Sequence, residues 1–486
     1  MKFRSLKFII LFNLVSLTLT AQNTTVFEWP KNEITPIFKE FVKVYNTNDL
    51  DKLEGFTTKY YEKDYKKNAE YWPSVFADYG QIVAFKVSNE WTKKNRLAIW
   101  FQGKDTKAWL MIILRMNKDN TKIIGKGVMR GQRPSGNLPP YGSISTDEIN
   151  PYLKKYLGKL NKLDRFSGSI LVAKGNTILF EKTYGKSNKK LNTKNDKNTS
   201  FNIASTTKTF TAVAIAKLAE QGKLKFTDPI SKFIPEYPID IANQITIHHL
   251  LTHTSGIEID DYEPFNRDVQ RAKNLNDLLK AQLKHIDSMN EGRRKDFKVL
   301  NKFDYSNENF ALLGLIIERV SKVSYAQYIE ENIFKPLEMK NSFSDIHKVI
   351  NRKNKAIGYS FKNSEGNFIG GKRRESKKMI PNLIDPFGGI YSTAKDLYTY
   401  FKAINNHTIV TEETQKTLFK THTDYYGYGF YLSNDAVGHG GVVQGFGSRF
   451  EYNKKTGYYI IVLSNYGSMA GNVVADHIED LLKKNN

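Results

Sequence analysis

The 486-residue chain predicts an α+β fold built as two units, and three observations carry that expectation. Helix-like stretches near the start give way to a run of strand-like ones that ends near residue 130. A segment rich in Pro, Gly and Asn, Arg133-Pro134-Ser135-Gly136-Asn137-Leu138-Pro139-Pro140-Tyr141-Gly142, then breaks the pattern as a linker would. Beyond it, strand-like hairpins stand at both ends of a long helical middle, so the second unit assembles its sheet from distant segments. The expected division is a leader over 1–21, a small α+β unit over 22–131, a linker over 132–144 and a larger α+β unit over 145–486.

The leader reads as a secretory signal. Lys2, Arg4 and Lys7 form a basic start, Phe8 to Leu19 is mostly apolar, and Thr20-Ala21-Gln22 offers small residues for cleavage. The apolar run is short for a membrane span, and no later segment is long and apolar enough, so export without stable membrane insertion is expected. The expected location is periplasmic or extracellular. With no cysteine the chain forms no disulfide, no cysteine-ligated metal site and no lipid-anchored cysteine. The formal charge is +23, but the basic residues are spread along the chain and match no nucleic-acid-binding pattern. A lysine-rich solvated surface accounts for the charge, with attraction to an anionic envelope as the alternative.

In the small unit, Thr35-Pro36 reads as an N-cap followed by proline at the first helical position. Ile37, Phe38, Phe41, Val42 and Tyr45 give that helix one apolar face, and a second helical stretch covers about 48–61. Strands are expected over 81–88, 97–102, 108–116 and 122–130. This order resembles the cone-shaped fold of nuclear transport factor 2. No paired carboxylates or histidines mark the unit as catalytic, so its expected role is accessory.

In the large unit, Ser145 and Glu148 form a capping box before a helix carrying Ile149, Tyr152, Leu153, Tyr156, Leu157 and Leu160 on one side. A hairpin of 166–173 and 177–184 turns at Lys174-Gly175-Asn176. A helix rich in Ala, Val, Ile and Leu follows over 209–221, with Gly222 placed to end it. Near the C-terminus 448–452 and 458–464 form another hairpin, and Val473, Val474, Ile478, Leu481 and Leu482 mark a closing amphipathic helix.

Chemistry enters at Ser205 and Lys208, three residues apart and so on one helical face. An amine held there can take the proton of an otherwise unreactive hydroxyl. The same spacing recurs at Ser187–Lys190 and Ser392–Lys395, so the pattern alone selects nothing. Two motifs that occur once each add context. Tyr305-Ser306-Asn307 opens a strong helix; it reads either as an N-cap or as a phenol beside Ser205 with an amide for a substrate carbonyl. Gly438-His439-Gly440-Gly441 leads into Val442; it reads either as a flexible turn or as an edge strand that lets a substrate backbone approach closely. In the second reading the N–H groups of Ser205 and Val442 form an oxyanion hole.

Taken in order, Ser205–Lys208, Tyr305-Ser306-Asn307 and His439-Gly440-Gly441 resemble the three motifs of the serine β-lactamase and penicillin-binding protein superfamily, in the form of its class C-like branch. Segments 250–256, 309–318 and 387–393 support the resemblance, which covers about 150–486. It implies an antiparallel sheet flanked by helices, with a helical subdomain. It implies a catalytic set of Ser205, Lys208, Tyr305 and His439, with Asn307, Gly441 and Val442 binding substrate, and neither metal nor cofactor. Lys455-Thr456-Gly457 spells the lysine form of the third motif but falls where a hairpin turn belongs, so His439 takes that place. His248 and His249 read as helix residues and His253 as part of a structural turn.

The branch implies an amide or ester hydrolase working through an acyl-serine, with a D-amino-acid peptidase, carboxypeptidase or esterase expected and a small-molecule or peptide substrate, possible cell-wall fragments included. A histidine at the third motif grips a substrate carboxylate less than a lysine does, which favours this over a β-lactamase. A non-turnover penicillin-binding sensor and an acyl transferase are the rival readings. No Gly-x-Ser-x-Gly elbow is present, and Phe180 replaces the first glycine of a phosphate-binding loop before Gly185-Lys186-Ser187.

Overall fold

The computed structural model describes residues 27–131, 134, 144–257, 271–288, 297–300, 302–363, 365–376, 385–467 and 469–482. The expected leader and nearly all of the expected linker lie outside these residues.

The first unit packs three helices, α1 (Thr35–Tyr45), α2 (Leu50–Tyr60) and α3 (Tyr65–Tyr79), on an antiparallel sheet. Its strands β1 (Ile82–Val87), β2 (Arg96–Gly103), β3 (Trp109–Met116) and β4 (Ile123–Gly131) run in sequence order. The period of two is visible in the core: Leu97, Ile99 and Phe101 of β2 and Leu110, Ile112 and Leu114 of β3 face the helices. Two local expectations change. Helix α1 takes its cap from Asn32, whose Oδ1 accepts from the N–H groups of Ile34 and Thr35, rather than from Thr35. Helix α3 is unanticipated because Pro73 sits inside it and reads as a breaker. Ala69, Trp72, Val75 and Tyr79 nevertheless bury one face of it, and that tertiary packing outweighs the missing N–H.

The second unit centres on a six-stranded antiparallel sheet. In chain order its strands are β5 (Gly168–Lys174), β6 (Thr177–Tyr184), β7 (Tyr431–Leu432), β8 (Ala436–Val443), β9 (Phe446–Asn453) and β10 (Tyr458–Ser464). Their spatial order is β7-β8-β9-β10-β5-β6, so the closing hairpin sits beside the opening one. All seven residues of β10 are buried because both faces are covered. Tyr458, Ile460 and Val462 pack with α4 (Thr146–Lys162) and the C-terminal helix, while Ile461 and Leu463 pack with the helical middle. That middle includes α5 (Thr207–Glu220), α6 (Asn307–Ser321) and α7 (Ala394–Asn405); α8 (Ala470–Leu482) closes the chain.

Helix α5 is buried nearly all round rather than along one stripe, which is why its charged and hydroxylated residues need internal partners. It ends where Gly222 adopts φ +68°, a left-handed conformation suited to glycine. Gly457 of the Lys-Thr-Gly triplet, at φ +74°, lies in the β9–β10 turn. The other two Ser-x-x-Lys serines are buried in structural bonds, Ser392 Oγ with Ser342 Oγ at 2.8 Å and Ser187 Oγ with Thr193 O at 3.4 Å.

The two units share a close interface. Val473 of α8 joins the core of the first unit. The Tyr156 hydroxyl donates to Thr106 O at 2.6 Å, and Arg165 Nη1 donates to Phe76 O at 2.7 Å. Arg373 and Asp78 form an ion pair at 3.3 Å whose side chains are only 3% and 4% exposed.

Candidate active site

The sequence before α5 builds a strained turn at the sheet edge. Phe201–Asn202 pairs with Tyr391–Ser392, and Asn202 Oδ1 accepts from Ala204 N–H at 2.7 Å. Ala204 is thereby held at φ +47°, a costly conformation for alanine. Ser205 follows within one 3₁₀ turn, Ala204–Thr206, that runs into α5. Ser448 Oγ of β9 donates to Ile203 O at 2.6 Å and lies 2.9 Å from Thr206 Oγ1, tying the turn to the sheet.

Lys208 is fully buried one turn on from Ser205. Its Nζ donates to Asn307 Oδ1 and to Phe387 O, each at 2.8 Å, and lies 3.4 Å from Ser205 Oγ. Burial pushes the ammonium down to about 7, against the opposing charges of Asp385 and Glu308. Asp385, half-buried near it, is pushed up by desolvation; the Lys208 charge and the N–H groups of Phe387 and Gly388 offset this in part.

Tyr305 stands across from this amine, its ring centroid 4.8 Å from Lys208 Nζ, and it lines the same cavity as Ser205. The residue is 37% exposed on the cavity side, yet packing around it holds the phenol above the usual tyrosine range. His253 stacks on Tyr305 with centroids 4.4 Å apart. His253 is in the left-handed region at φ +56°, in keeping with a turn, and its Nδ1 accepts the Ser306 N–H at 3.1 Å. Ser306 is the cap residue of α6, but its hydroxyl bonds Glu308; the Asn307 Oδ1 accepts from Lys208 Nζ.

Strand β8 brings the glycines alongside. Strand β7 pairs with it only at Val437 and Gly438, so among the described strands nothing pairs with that edge from His439 to Val443. Gly441 lies against the Ser205 turn: a Cβ there would come 2.5 Å from Ser205 N and 2.6 Å from Ile203 O. Glycine is therefore what keeps the space before the Ser205 N–H open. His439 is buried beside it. Its Nδ1–H donates to Gly440 O at 2.7 Å and its Nε2 accepts from the Tyr426 hydroxyl at 3.2 Å. Burial, reinforced by the Lys208 charge, pushes His439 down to about 3, so the imidazole is neutral.

Ser205, Lys208, Tyr305, Asn307 and Gly441 thus converge, and Ser205, Tyr305 and Gly441 line a cavity of about 490 Å³ together with Val442, His439 and Arg449. Sequence reasoning missed Tyr426 and Asp385, which lie in no recognisable motif, and the stacking role of His253. His248 and His249 lie in the helix Ile247–Leu251, and among the described residues no cluster of His, Cys, Asp and Glu has the arrangement to hold a metal.

A turn-borne serine, a buried lysine one turn later and a glycine edge strand beside them define an active-site serine architecture. The chain belongs to the beta-lactamase family, whose model matches residues 153–483. It is 33% identical over 328 residues to Protein flp of Staphylococcus aureus (strain MW2), covering 64% of this chain and 61% of that one. The chain therefore spans less than two thirds of the length of that curated relative. Among solved structures it resembles a penicillin binding protein from Bacillus halodurans (29% identity, TM-score 0.58, 67% of this chain and 98% of that one). It also resembles an octameric penicillin-binding protein homologue from Pyrococcus abyssi (26% identity, TM-score 0.59, 69% and 78%).

Proposed function

We propose that this protein is an exported serine hydrolase that cleaves an amide or ester bond through an acyl intermediate on Ser205. The observation that carries the reading is the bonding of Lys208. A neutral amine has two N–H bonds and one lone pair, and Asn307 Oδ1 and Phe387 O account for both donors. The lone pair is then left for the third neighbour, the Ser205 hydroxyl. Lys208 takes the Ser205 proton as Oγ attacks the substrate carbonyl. The N–H groups of Ser205 and Val442 hold the oxyanion, and the proton passes by way of the Tyr305 hydroxyl to the leaving amine or alcohol. Water then repeats the sequence on the acyl-serine, which releases the acid and restores Ser205. Tyr305 acts as a neutral relay, since its phenol stays protonated at neutral pH.

Within the family we favour the class C-like branch and a D-amino-acid peptidase, carboxypeptidase or esterase activity over a β-lactamase. The support is His439: neutral and bonded at both nitrogens, it shapes the β8 edge through Tyr426 and itself offers no cation to a substrate carboxylate, which counts against a β-lactamase and supports the peptidase and esterase activities more than the carboxypeptidase. A sensor that acylates but does not turn over is the competing reading. Three helices over one face of a four-stranded sheet support a nuclear transport factor 2-like first unit. Export rests on the sequence of residues 1–21; no helix among the described residues is long and apolar enough to cross a membrane. A panel of p-nitrophenyl esters, D-amino-acid anilides, D-Ala-D-Ala peptides and nitrocefin, each run beside Ser205→Ala, tests the reading. Turnover of an ester or D-amino-acid substrate that vanishes in the variant supports it. A mass shift on Ser205 that persists for hours without turnover favours the sensor.

A further inference from the structure

We propose that the first unit supplies one wall of the substrate site, and that the cleft between the two units receives an apolar or aromatic segment of an extended substrate whose scissile carbonyl lies at Ser205. This rests on the serine hydrolase reading. A second cavity, of about 430 Å³, lies in that cleft and shares Arg130, Val442 and Met469 with the Ser205 cavity. The two spaces therefore meet at the end of strand β8, where Val442 is 43% exposed.

The wall contributed by the first unit is apolar and aromatic, with Tyr71 on α3 and Val128 on β4. Phe361 and Phe368 face them from the second unit, and the rings of Tyr71 and Phe368 meet edge to face across the cleft at 5.0 Å. Such a mostly apolar, concave lining suits a ligand's apolar portion, with a few polar groups to orient it. The wall is also held in place. Arg130 Nε pairs with Asp476 Oδ2 at 3.4 Å, and Asp78 accepts from Met469 N–H at 3.0 Å while paired with Arg373. The edge of β8 from Gly440 to Val443 spans about 10 Å at the usual strand rise. An extended chain lying along that edge leaves Ser205 and enters the cleft after three or four residues.

Two fluorophosphonates test this without a known substrate: a short alkyl one, and one bearing an aromatic group on a spacer of tripeptide length. In each, Ser205 Oγ bonds phosphorus and fluoride leaves, and mass spectrometry reads the rate of labelling. Wild type should label faster with the tailed probe by about tenfold or more, the discrimination an apolar pocket provides. Val128→Trp, which fills the cleft, should bring the ratio of the two rates close to one through loss of tailed-probe rate. Phe368→Ala, which removes the opposite wall, should lower the same ratio and serves if the tryptophan variant does not fold. Equal labelling of wild type by both probes, or a preference that survives both substitutions, overturns the subsite alone. Failure of the tailed probe alone likewise overturns the subsite alone, whereas failure of both probes to label Ser205 in wild type overturns the hydrolase reading, and the subsite with it.

Discussion

Lys208 shows how burial and bonding set a residue's chemistry. An ammonium in water would hold its third proton up to the usual lysine range, whereas here desolvation brings the transition down to about 7. If, as proposed, the neutral amine is the base, kcat/KM should rise with pH through about 7 and level off above it. The neutral His439 should add no inflection between pH 5 and 7. A pH–rate profile that falls through 7 would contradict this. The same shift has a sign in stability. A lysine whose folded pKa is depressed binds fewer protons folded than unfolded between about 7 and its ordinary value, so stability rises with pH across that window. Chemical denaturation at pH 7 and pH 9 should show wild type gaining stability relative to Lys208→Met. That variant should also lose activity by at least about a thousandfold, since both the base and the bonds ordering Asn307 are gone.

At the scale of elements, the site is a short helical turn set against one sheet edge. Gly441→Ala tests that contact, because its methyl would fall 2.5 Å from Ser205 N. Activity should drop about a hundredfold or more, as when an oxyanion donor is lost, with melting changed far less than turnover. Unchanged kcat/KM in that variant would remove the oxyanion hole from the account. Much of this level was legible in the sequence. Strand β10 reads directly from Tyr458 to Ser464, and the capping box at Ser145 and the glycine stop at Gly222 follow local rules. Helix α3 was not legible because Pro73 obeys a local rule that Trp72 and Tyr79 override through tertiary burial. The convergence of Ser205, Lys208, Tyr305, Asn307 and Gly441 was legible through motif order. Tyr426, Asp385 and His253 were not: each acts through a contact distant in sequence, and no spacing rule links Tyr426 to His439 or His253 to Tyr305.

For the whole molecule, the first unit is fastened to the second by a buried ion pair as well as apolar contact, which is more than a flexible tether would give. Asp78→Ala leaves the Arg373 guanidinium buried without its carboxylate partner, at a cost of about 3–5 kcal/mol. The expected outcome is a melting transition lowered by several degrees. If the ion pair couples the units, loss of the tailed-probe labelling preference should also precede loss of the sheet signal on heating. An unaltered melting curve would show that the pair contributes nothing to docking. The chain's basic charge, spread over both units, adds no site to this picture and is consistent with a solvated surface.

The most direct measurement is intact-protein and peptide mass spectrometry after brief mixing with an activated ester at several pH values. The acyl mass should appear on the peptide containing Ser205, form faster as pH rises through about 7, and decay as product is released. Ser205→Ala should show no adduct and no turnover. An adduct on another residue, or turnover that survives in Ser205→Ala, would contradict Ser205 as the Lys208-activated nucleophile.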